Sequence, residues 1–250
     1  MNFRKIWNIS IDIITRIIAI CYFGLIGWWA LKVVLALGPK VFDQTATVDE
    51  IRLIVVRLTA VLFSGLLVGI YIFRSPPLRK SRGIMPRIVA FLNAVILPAL
   101  MMLPSQIPLI FKSGPARHQA IDFLMKFKLL PWVSSMELAI AGLILVGIGH
   151  LLSAFVLSFL GRSFSILPEA RKLVQHGPYR IVRHPLYAVE FIAVIGLVLQ
   201  NLGWWTLFIL AVHLPILLIR MNYEEKVLTA EFPEYTKYKR KTKRLIPYVF

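Results

Sequence analysis

Acidic residues are scarce in this chain. Twelve Asp and Glu stand against 29 Lys and Arg, a formal net charge of +17 over 250 residues. Cysteine is nearly missing: Cys21 stands alone, inside an apolar run. That excludes an intrachain disulfide and any cysteine-based metal cluster, and no metal site is expected. No Gly-x-Gly-x-x-Gly loop follows a strand-like stretch, which excludes the soluble dinucleotide-type cofactor loop. No internal repeat or low-complexity segment occurs. Charge itself is thin, at 16% of residues, while 58% are hydrophobic and the mean hydropathy is +0.74. A soluble domain is about 45–50% apolar.

The apolar excess is gathered into runs of transmembrane length. So strong a positive balance first suggests nucleic acid. Here the basic residues sit mostly in connectors between apolar runs, which fits anionic headgroups and the positive-inside rule instead. The expected partners are membrane lipids and a lipidic substrate, with no nucleic acid.

Residues 1–10 are a basic lead with Arg4 and Lys5. The first run, 11–37, is too long for a signal segment and reads as the first anchor. Asp12 and Arg16 near its start are spaced to pair on one helical face. A polar link over 38–50 opens with Gly38-Pro39. The second run, 51–73, contains Arg57, which either snorkels to the near interface or meets a bundle-facing carboxylate or lipid phosphate. Residues 74–87 carry five Arg/Lys and no acid, and Pro76-Pro77 ends the helix before them. In the third run, 88–110, Pro98, Pro104 and Pro108 predict a kink or a division. A mixed connector over 112–133 includes Lys112, and over 116–130 it can lie flat as an amphipathic helix. The fourth run, 134–160, carries Gly142, Gly147 and Gly149, suited to close helix packing. Residues 161–184 are basic. The fifth and sixth runs, 185–200 and 203–219, are separated by a short turn and predict a helical hairpin. Trp204 and Trp205 sit at that turn as interface residues would. The polar tail 220–250 has eight Lys/Arg and four Glu.

The chemistry concentrates in two places. Leu173 to Tyr187 is a polar, basic, proline-punctuated segment between apolar runs. Gly177-Pro178 signals a turn. Pro185 suits the first position of a helix, which puts Arg183 and His184 at its N-terminus. Free N–H groups there, with Arg180, Arg183, His176 and His184, suit an anionic group. Tyr179 and Tyr187 add flat aromatic surface. Read alone, the segment is equally a basic loop anchored to anionic lipid. The second place is Arg220-Met221-Asn222-Tyr223-Glu224-Glu225, where Arg220 and Glu224 share a helical face. It reads either as a surface charge network or as the anionic wall of a pocket for a zwitterionic ligand.

Together, His176-Gly177-Pro178-Tyr179-x-x-Val182-Arg183-His184-Pro185-x-Tyr187 and Arg220-x-x-x-Glu224-Glu225 resemble the isoprenylcysteine carboxyl methyltransferase family. The related phospholipid N-methyltransferases share much of this pattern. Leu228, Phe232, Tyr235, Tyr238 and Arg244-Leu245-Ile246-Pro247 extend the resemblance, as does Gly161-Arg162-Ser163-Phe164. It covers about residues 155–250, and the N-terminal part carries no such signature. The resemblance implies an integral-membrane enzyme using S-adenosyl-L-methionine. His176, Gly177, Pro178, Tyr179, Arg183, His184, Pro185 and Tyr187 would line the cofactor site, and Glu224 and Glu225 would complete it. One position departs: Val189 stands where the family often has glycine, followed by Glu190. A carboxylate one turn into a membrane helix is a functional candidate. It is equally a partner for Arg162 or Arg183.

The expected fold is an all-α integral membrane protein of about six transmembrane helices, with a helical hairpin and a cytoplasmic tail forming the cofactor pocket. Residues 1–130 would be a variable anchor and substrate region, and 131–250 the methyltransferase core. The expected setting is a multi-pass protein of a bacterial inner membrane, termini and cofactor site on the cytoplasmic face. A carboxylate acceptor needs no general base, and Arg220 or Arg244 would position it. An amine or thiol must lose a proton, to Glu190, Glu224 or His184. The first acceptor by resemblance is the carboxylate of a prenylcysteine-like amphipath, the second a phospholipid or amino-lipid amine.

Overall fold

A computed structural model describes residues 3–110, 114–130 and 136–249. Lys112 and the end of the 112–133 connector lie outside the described residues. In order the chain forms α1 (Phe3–Phe42), α2 (Val48–Phe73), a two-residue strand β1 (Arg79–Lys80), α3 (Met85–Phe91), a π-helical turn (Leu92–Ile96), α4 (Leu97–Ile110), α5 (Pro115–Lys126), α6 (Met136–Leu160), β2 (Glu169–Ala170), α7 (Pro185–Gln200), α8 (Trp204–Glu231) and α9 (Tyr235–Lys241). The protein is an all-α membrane protein. Helices dominate because a chain in hydrocarbon must satisfy its backbone polar groups within each segment.

Five stretches are long and apolar enough to cross a membrane: Asp12–Phe42, Leu53–Phe73, Met85–Leu103, Glu137–Ser163 and Trp204–Glu231. Their outward faces are bare of polar cover, with Ile18, Leu25, Leu35 and Leu62 more than half exposed. Lipid is the solvent that makes such a surface stable. The fifth expected span, α7, is apolar but has only 16 residues. That is about 24 Å of helix, shorter than the ~30 Å hydrocarbon core. The polar connector at its start is therefore drawn toward the hydrocarbon.

The structure revises several boundaries. α1 does not stop before Gly38-Pro39 but continues to Phe42, with Pro39 inside its last turn. A proline there forfeits one hydrogen bond, while the Pro39 and Lys40 carbonyls are satisfied by Asp43, Thr45 and Ala46. α2 begins at Val48 rather than 51, because Thr47 and Glu50 form a reciprocal capping box that satisfies two otherwise free donors. The third run divides at the π-helical turn just before Pro98. Pro98 cannot donate to the carbonyl four residues back, and the widened turn absorbs the defect. The backbone stays helical through positions 104 and 108. α8 carries on past the apolar run to Glu231, so Arg220, Glu224 and Glu225 stand on the helix, as the i, i+4 spacing of Arg220 and Glu224 implied.

Close backbone packing joins α6 to α7. A Cβ at Gly142 would lie 2.7 Å from the Gly196 carbonyl oxygen, and one at Gly149 would lie 2.7 Å from Ala193 Cβ. Gly147 has no such neighbour, since its Cβ would meet only Thr59 at 3.9 Å. α7 and α8, joined by the short turn, meet through side chains. Val194, Val198 and Ile209 pack with Leu97 and Met101 of α4. Trp205 Nε1 donates to the Leu100 carbonyl at 2.7 Å.

The expected Asp12–Arg16 pair forms at 3.1 Å, and Asp12 also accepts from Arg74 at 2.9 Å and Arg171 at 3.0 Å. One buried carboxylate thus ties α1 to the end of α2 and to the loop after β2. Pairing of β1 with β2, Arg79 opposite Ala170 and Lys80 opposite Glu169, adds a second tie. Among the described residues Arg57 pairs with no carboxylate; its guanidinium lies over the Trp29 ring at 4.1 Å.

Candidate active site

Two segments far apart in sequence close on each other at the exit of α8. Residues 177–180 form a 3-10 turn in which Gly177 takes φ +59, a left-handed conformation that favours glycine; its missing Cβ leaves room for the Phe159 ring. Pro185 occupies the first position of α7, where its lack of an N–H costs nothing. Arg183 and His184 therefore keep extended backbone N–H groups, which donate to the Lys243 and Arg244 carbonyls at 2.8 and 2.9 Å. The tail is thereby stitched along the connector. The Tyr238 hydroxyl donates to the Tyr179 carbonyl, and Arg183 donates to the Lys239 carbonyl at 2.9 Å and to that of Thr242.

Glu225 is the hub of this closure. Its buried carboxylate receives Arg183 at 3.1 Å, His184 Nε2 at 3.3 Å, Arg244 at 3.2 Å and Lys239 at 2.9 Å. Glu224, the next residue, faces the other way. It accepts from the Tyr187 hydroxyl, and Arg220 Nε lies 3.6 Å from it. The Arg220 guanidinium also covers the Tyr187 ring at 4.7 Å, and His184 stacks on the far side of that tyrosine at 5.4 Å.

The enclosed cleft has a volume of about 820 Å³ and opens to solvent. Its cationic walls come from Arg171, Lys172, Arg183, His184 and Arg220, its anionic walls from Glu169 and Glu224. Tyr179, Tyr187, Tyr235 and Tyr238 supply ring surface. Burial pushes the Tyr179 and Tyr235 hydroxyls well above the usual phenol range and Tyr238 up to about 12, so all three keep their protons at neutral pH. Several buried donors at this cleft have no hydrogen-bond partner among the described residues: Arg171 Nε and Nη1, and the Tyr235 hydroxyl. An unmet buried donor costs about 1–3 kcal/mol, so these atoms are suited to a polar ligand. A ligand with a carboxylate, an amine, hydroxyls and a flat ring finds complementary groups here.

Among the residues expected at the cofactor site, Tyr179, Arg183, His184, Tyr187 and Glu224 line the cleft, as does Arg220, expected to position the acceptor. His176 is exposed and packs on Phe159, while Gly177, Pro178 and Pro185 shape the backbone without lining the cleft. Glu225 and Arg244 sit behind it, together with Asn222 and Lys239, in a separate shallow pocket. Glu190 meets neither Arg162 nor Arg183. Arg162 donates to the Phe73 carbonyl and Arg183 turns to Glu225, so that pairing is excluded by geometry. Glu169 and Arg171 escaped sequence reasoning. The signal available was a lone Glu-x-Arg in a basic connector, which gains meaning only from its contact with Asp12. Among the described residues no three His, Cys, Asp or Glu side chains gather as metal ligands do.

The chain is 31% identical over 119 residues to the nickel-cobalt-cadmium resistance protein NccN of Alcaligenes xylosoxydans xylosoxydans, covering 46% of this chain and 52% of that protein. It is 31% identical over 120 residues to the cobalt-zinc-cadmium resistance protein CzcN of Cupriavidus metallidurans, covering 46% of this chain and 51% of that protein. The chain thus spans about half the length of the curated relatives it matches. The profile of the phospholipid methyltransferase family matches residues 137–234, from the start of α6 to the turn before α9, and so takes in both walls of the cleft. Over these residues the chain is similar to the phospholipid methyltransferase family, in the group of integral-membrane methyltransferases related to the isoprenylcysteine carboxyl methyltransferases.

Proposed function

We propose that this protein is an integral-membrane methyltransferase that holds S-adenosyl-L-methionine in the cleft between the 161–187 connector, the exit of α8 and the tail, and methylates a lipid-like acceptor. The observation that carries this reading is the meeting of the two motif halves around one cleft. Tyr187 and His184 of the connector face Glu224 of α8, while Glu225 locks Arg183 and the tail behind them. The donor supplies an activated sulfonium methyl. The chain's own residues then bind, orient and exclude water. Glu224 and the Tyr235 hydroxyl suit hydroxyls or an amine, and the unmet donors of Arg171 suit a carboxylate. Arg183, His184, Tyr179 and Tyr187 form the wall against which the ligand lies. His176, Gly177, Pro178 and Pro185 set the connector's course, and Arg244 and Glu225 hold the tail.

By resemblance the first acceptor is the carboxylate of a prenylcysteine-like amphipath, and by the family match an amino-phospholipid is the second. A cytoplasmic face of a bacterial inner membrane fits the basic 74–87 and 161–184 connectors. The rival is a non-catalytic membrane protein that keeps this scaffold. Calorimetric titration of the detergent-purified protein with S-adenosylhomocysteine decides between them. Binding that weakens at least tenfold in His184→Ala and Glu225→Ala is expected. No binding, or binding unaltered in both variants, overturns the methyltransferase reading.

A further inference from the structure

A second chamber lies between the helices and adjoins the cleft at Tyr187. We propose that it seats the reacting head of the acceptor, that this head is an uncharged protic group (amine, hydroxyl or thiol) on an otherwise apolar molecule, and that Glu190 takes its proton. The inference rests on the reading of the cleft as the donor site; it adds the acceptor's seat, and it replaces the two acceptors that resemblance suggests with a class read from the chamber's charge.

The chamber has a volume of about 690 Å³. Phe63, Pro98, Phe191 and Leu217, from α2, α4, α7 and α8, give it apolar walls. Asn93, His150, Ser153, Glu190 and His213 project polar groups into it. Tyr187 lines both the cleft and the chamber, so one aromatic ring is their common wall. A chain of polar contacts also runs between them, its first step the 3.6 Å ion pair of Glu224 with Arg220 Nε. From Glu224 it passes to Arg220, whose Nη1 donates to Asn93 Oδ1 at 3.2 Å, and on from Asn93 Nδ2 to His213 Nδ1 at 3.4 Å. Asn93 stands on the π-helical turn. Such widened turns are frequent at functional sites.

Polar side chains between membrane helices are often interhelical hydrogen bonds and nothing more. That account covers Asn93 with His213, and His150 with Thr59 at 3.4 Å. It does not cover Glu190, which has no hydrogen-bond or ion-pair partner among the described residues. A partnerless carboxylate in a helix bundle is costly, and a bound group that gives it a proton or a hydrogen bond relieves the cost.

Charge sets the acceptor class. Glu190 and Glu224 are two carboxylates near one guanidinium, and Arg220 is already committed to Asn93, to the Ile166 carbonyl at 3.0 Å and to Glu224. No Arg or Lys lines the chamber among the described residues, and Glu190 is its one carboxylate there; Arg220 and Glu224 line the adjoining cleft. A carboxylate or phosphate placed there would meet net negative charge in a low dielectric, which is strongly unfavourable. An uncharged N–H, O–H or S–H group meets acceptors instead. In the transfer, the acceptor's lone pair forms the new bond to the methyl carbon as the carbon–sulfur bond breaks with its electrons staying on sulfur. The acceptor's proton passes to the Glu190 carboxylate, which becomes neutral.

The test uses the full chain in detergent, S-adenosyl-L-methionine, and five probes: dodecylamine, dodecanethiol, a long-chain alkylphenol, N-acetylfarnesylcysteine and phosphatidylethanolamine. S-Adenosylhomocysteine formation is read. Turnover is expected with at least one of the first three and not with the last two. Glu190→Gln should lower kcat about 100-fold or more, the usual weight of general-base catalysis, with S-adenosylhomocysteine affinity and thermal midpoint within experimental scatter of the parent. Ala94→Phe, which fills the chamber, should raise KM for the probe about tenfold while leaving S-adenosylhomocysteine binding intact. With that binding intact, the proposal is overturned by turnover only on the carboxylate or the phospholipid, by turnover on none, or by a Glu190→Gln enzyme within twofold of the parent. Failure of S-adenosylhomocysteine to bind the parent protein is a different result: it defeats the donor reading, and this proposal with it.

Discussion

Glu224 and Glu225 are adjacent on one helix, and their carboxylates are put to different uses. A helix turns about 100° per residue, so neighbours point to different walls: Glu224 toward Tyr187 and the cleft, Glu225 toward the tail. Removing Glu225 leaves Arg183 and His184 buried without their counterion. Breaking a buried ion pair on one side costs about 3–5 kcal/mol. Glu225→Ala is expected to lower the thermal midpoint and to expose residues 232–249 to protease, which mass spectrometry of a limited digest would read. Unchanged protection of that segment would refute the hub role. Asp12 presents the same physics at the other end of the chain. Asp12→Ala leaves Arg74, whose side chain is almost fully buried, without its carboxylate, while Arg171 keeps Glu169 at 2.6 Å, and a loss of similar size should appear in thermal unfolding. Asp12–Arg16 was legible from i, i+4 spacing. Arg74 and Arg171 were not, because no local rule links residues 62 and 159 positions apart.

At the scale of the element, α6 and α7 are held by what their glycines lack. Gly142→Leu or Gly149→Leu would drive a side chain into the α7 backbone or Ala193. Overpacking costs about 1–3 kcal/mol or more where backbone must move. A lowered thermal midpoint in both, with Gly147→Ala near the parent because its Cβ finds open space, is the expected pattern; equal effects at all three would contradict it. The tail carries its own pH signature. Tyr238 titrates at about 12 in the fold, raised from its ordinary value near 10 chiefly by burial. Its docked form therefore holds a proton that the unfolded chain releases first. Its stabilisation is whole below about pH 10 and is lost as pH rises toward 12. Tyrosinate absorbance should accordingly rise with a lag in the parent, and Tyr238→Phe should remove part of it. The sequence announced each of these helices by apolar run and turn residues. It misplaced the end of α8, because a polar stretch after an apolar run has the composition of a tail whether or not the helix continues through it.

For the whole molecule, the arrangement is two cavities that share Tyr187, one between the connector and the exit of α8 and one among the helices. A protein built this way gains stability from ligand only in the folded state. At a ligand concentration 100 times Kd the gain is about 2.7 kcal/mol. S-Adenosylhomocysteine should thus raise the thermal midpoint of the parent and raise it less in Glu224→Ala, measured in the same detergent.

The sequence by itself determined the solvent, the helices and the motif. Those depend on local composition and spacing: apolar runs demand lipid, prolines and caps mark helix ends, and the residues from His176 to Tyr187 with Arg220-x-x-x-Glu224-Glu225 repeat a family pattern. Only the tertiary structure decided which of those residues face the cleft, that Glu225 and Arg244 stand behind it, and that Glu169 and Arg171 belong to it. It alone brought Asn93, His150, Glu190 and His213 into one chamber. Each of those is a polar residue lone within its own apolar run, and it becomes a site only where helices distant in sequence pack together.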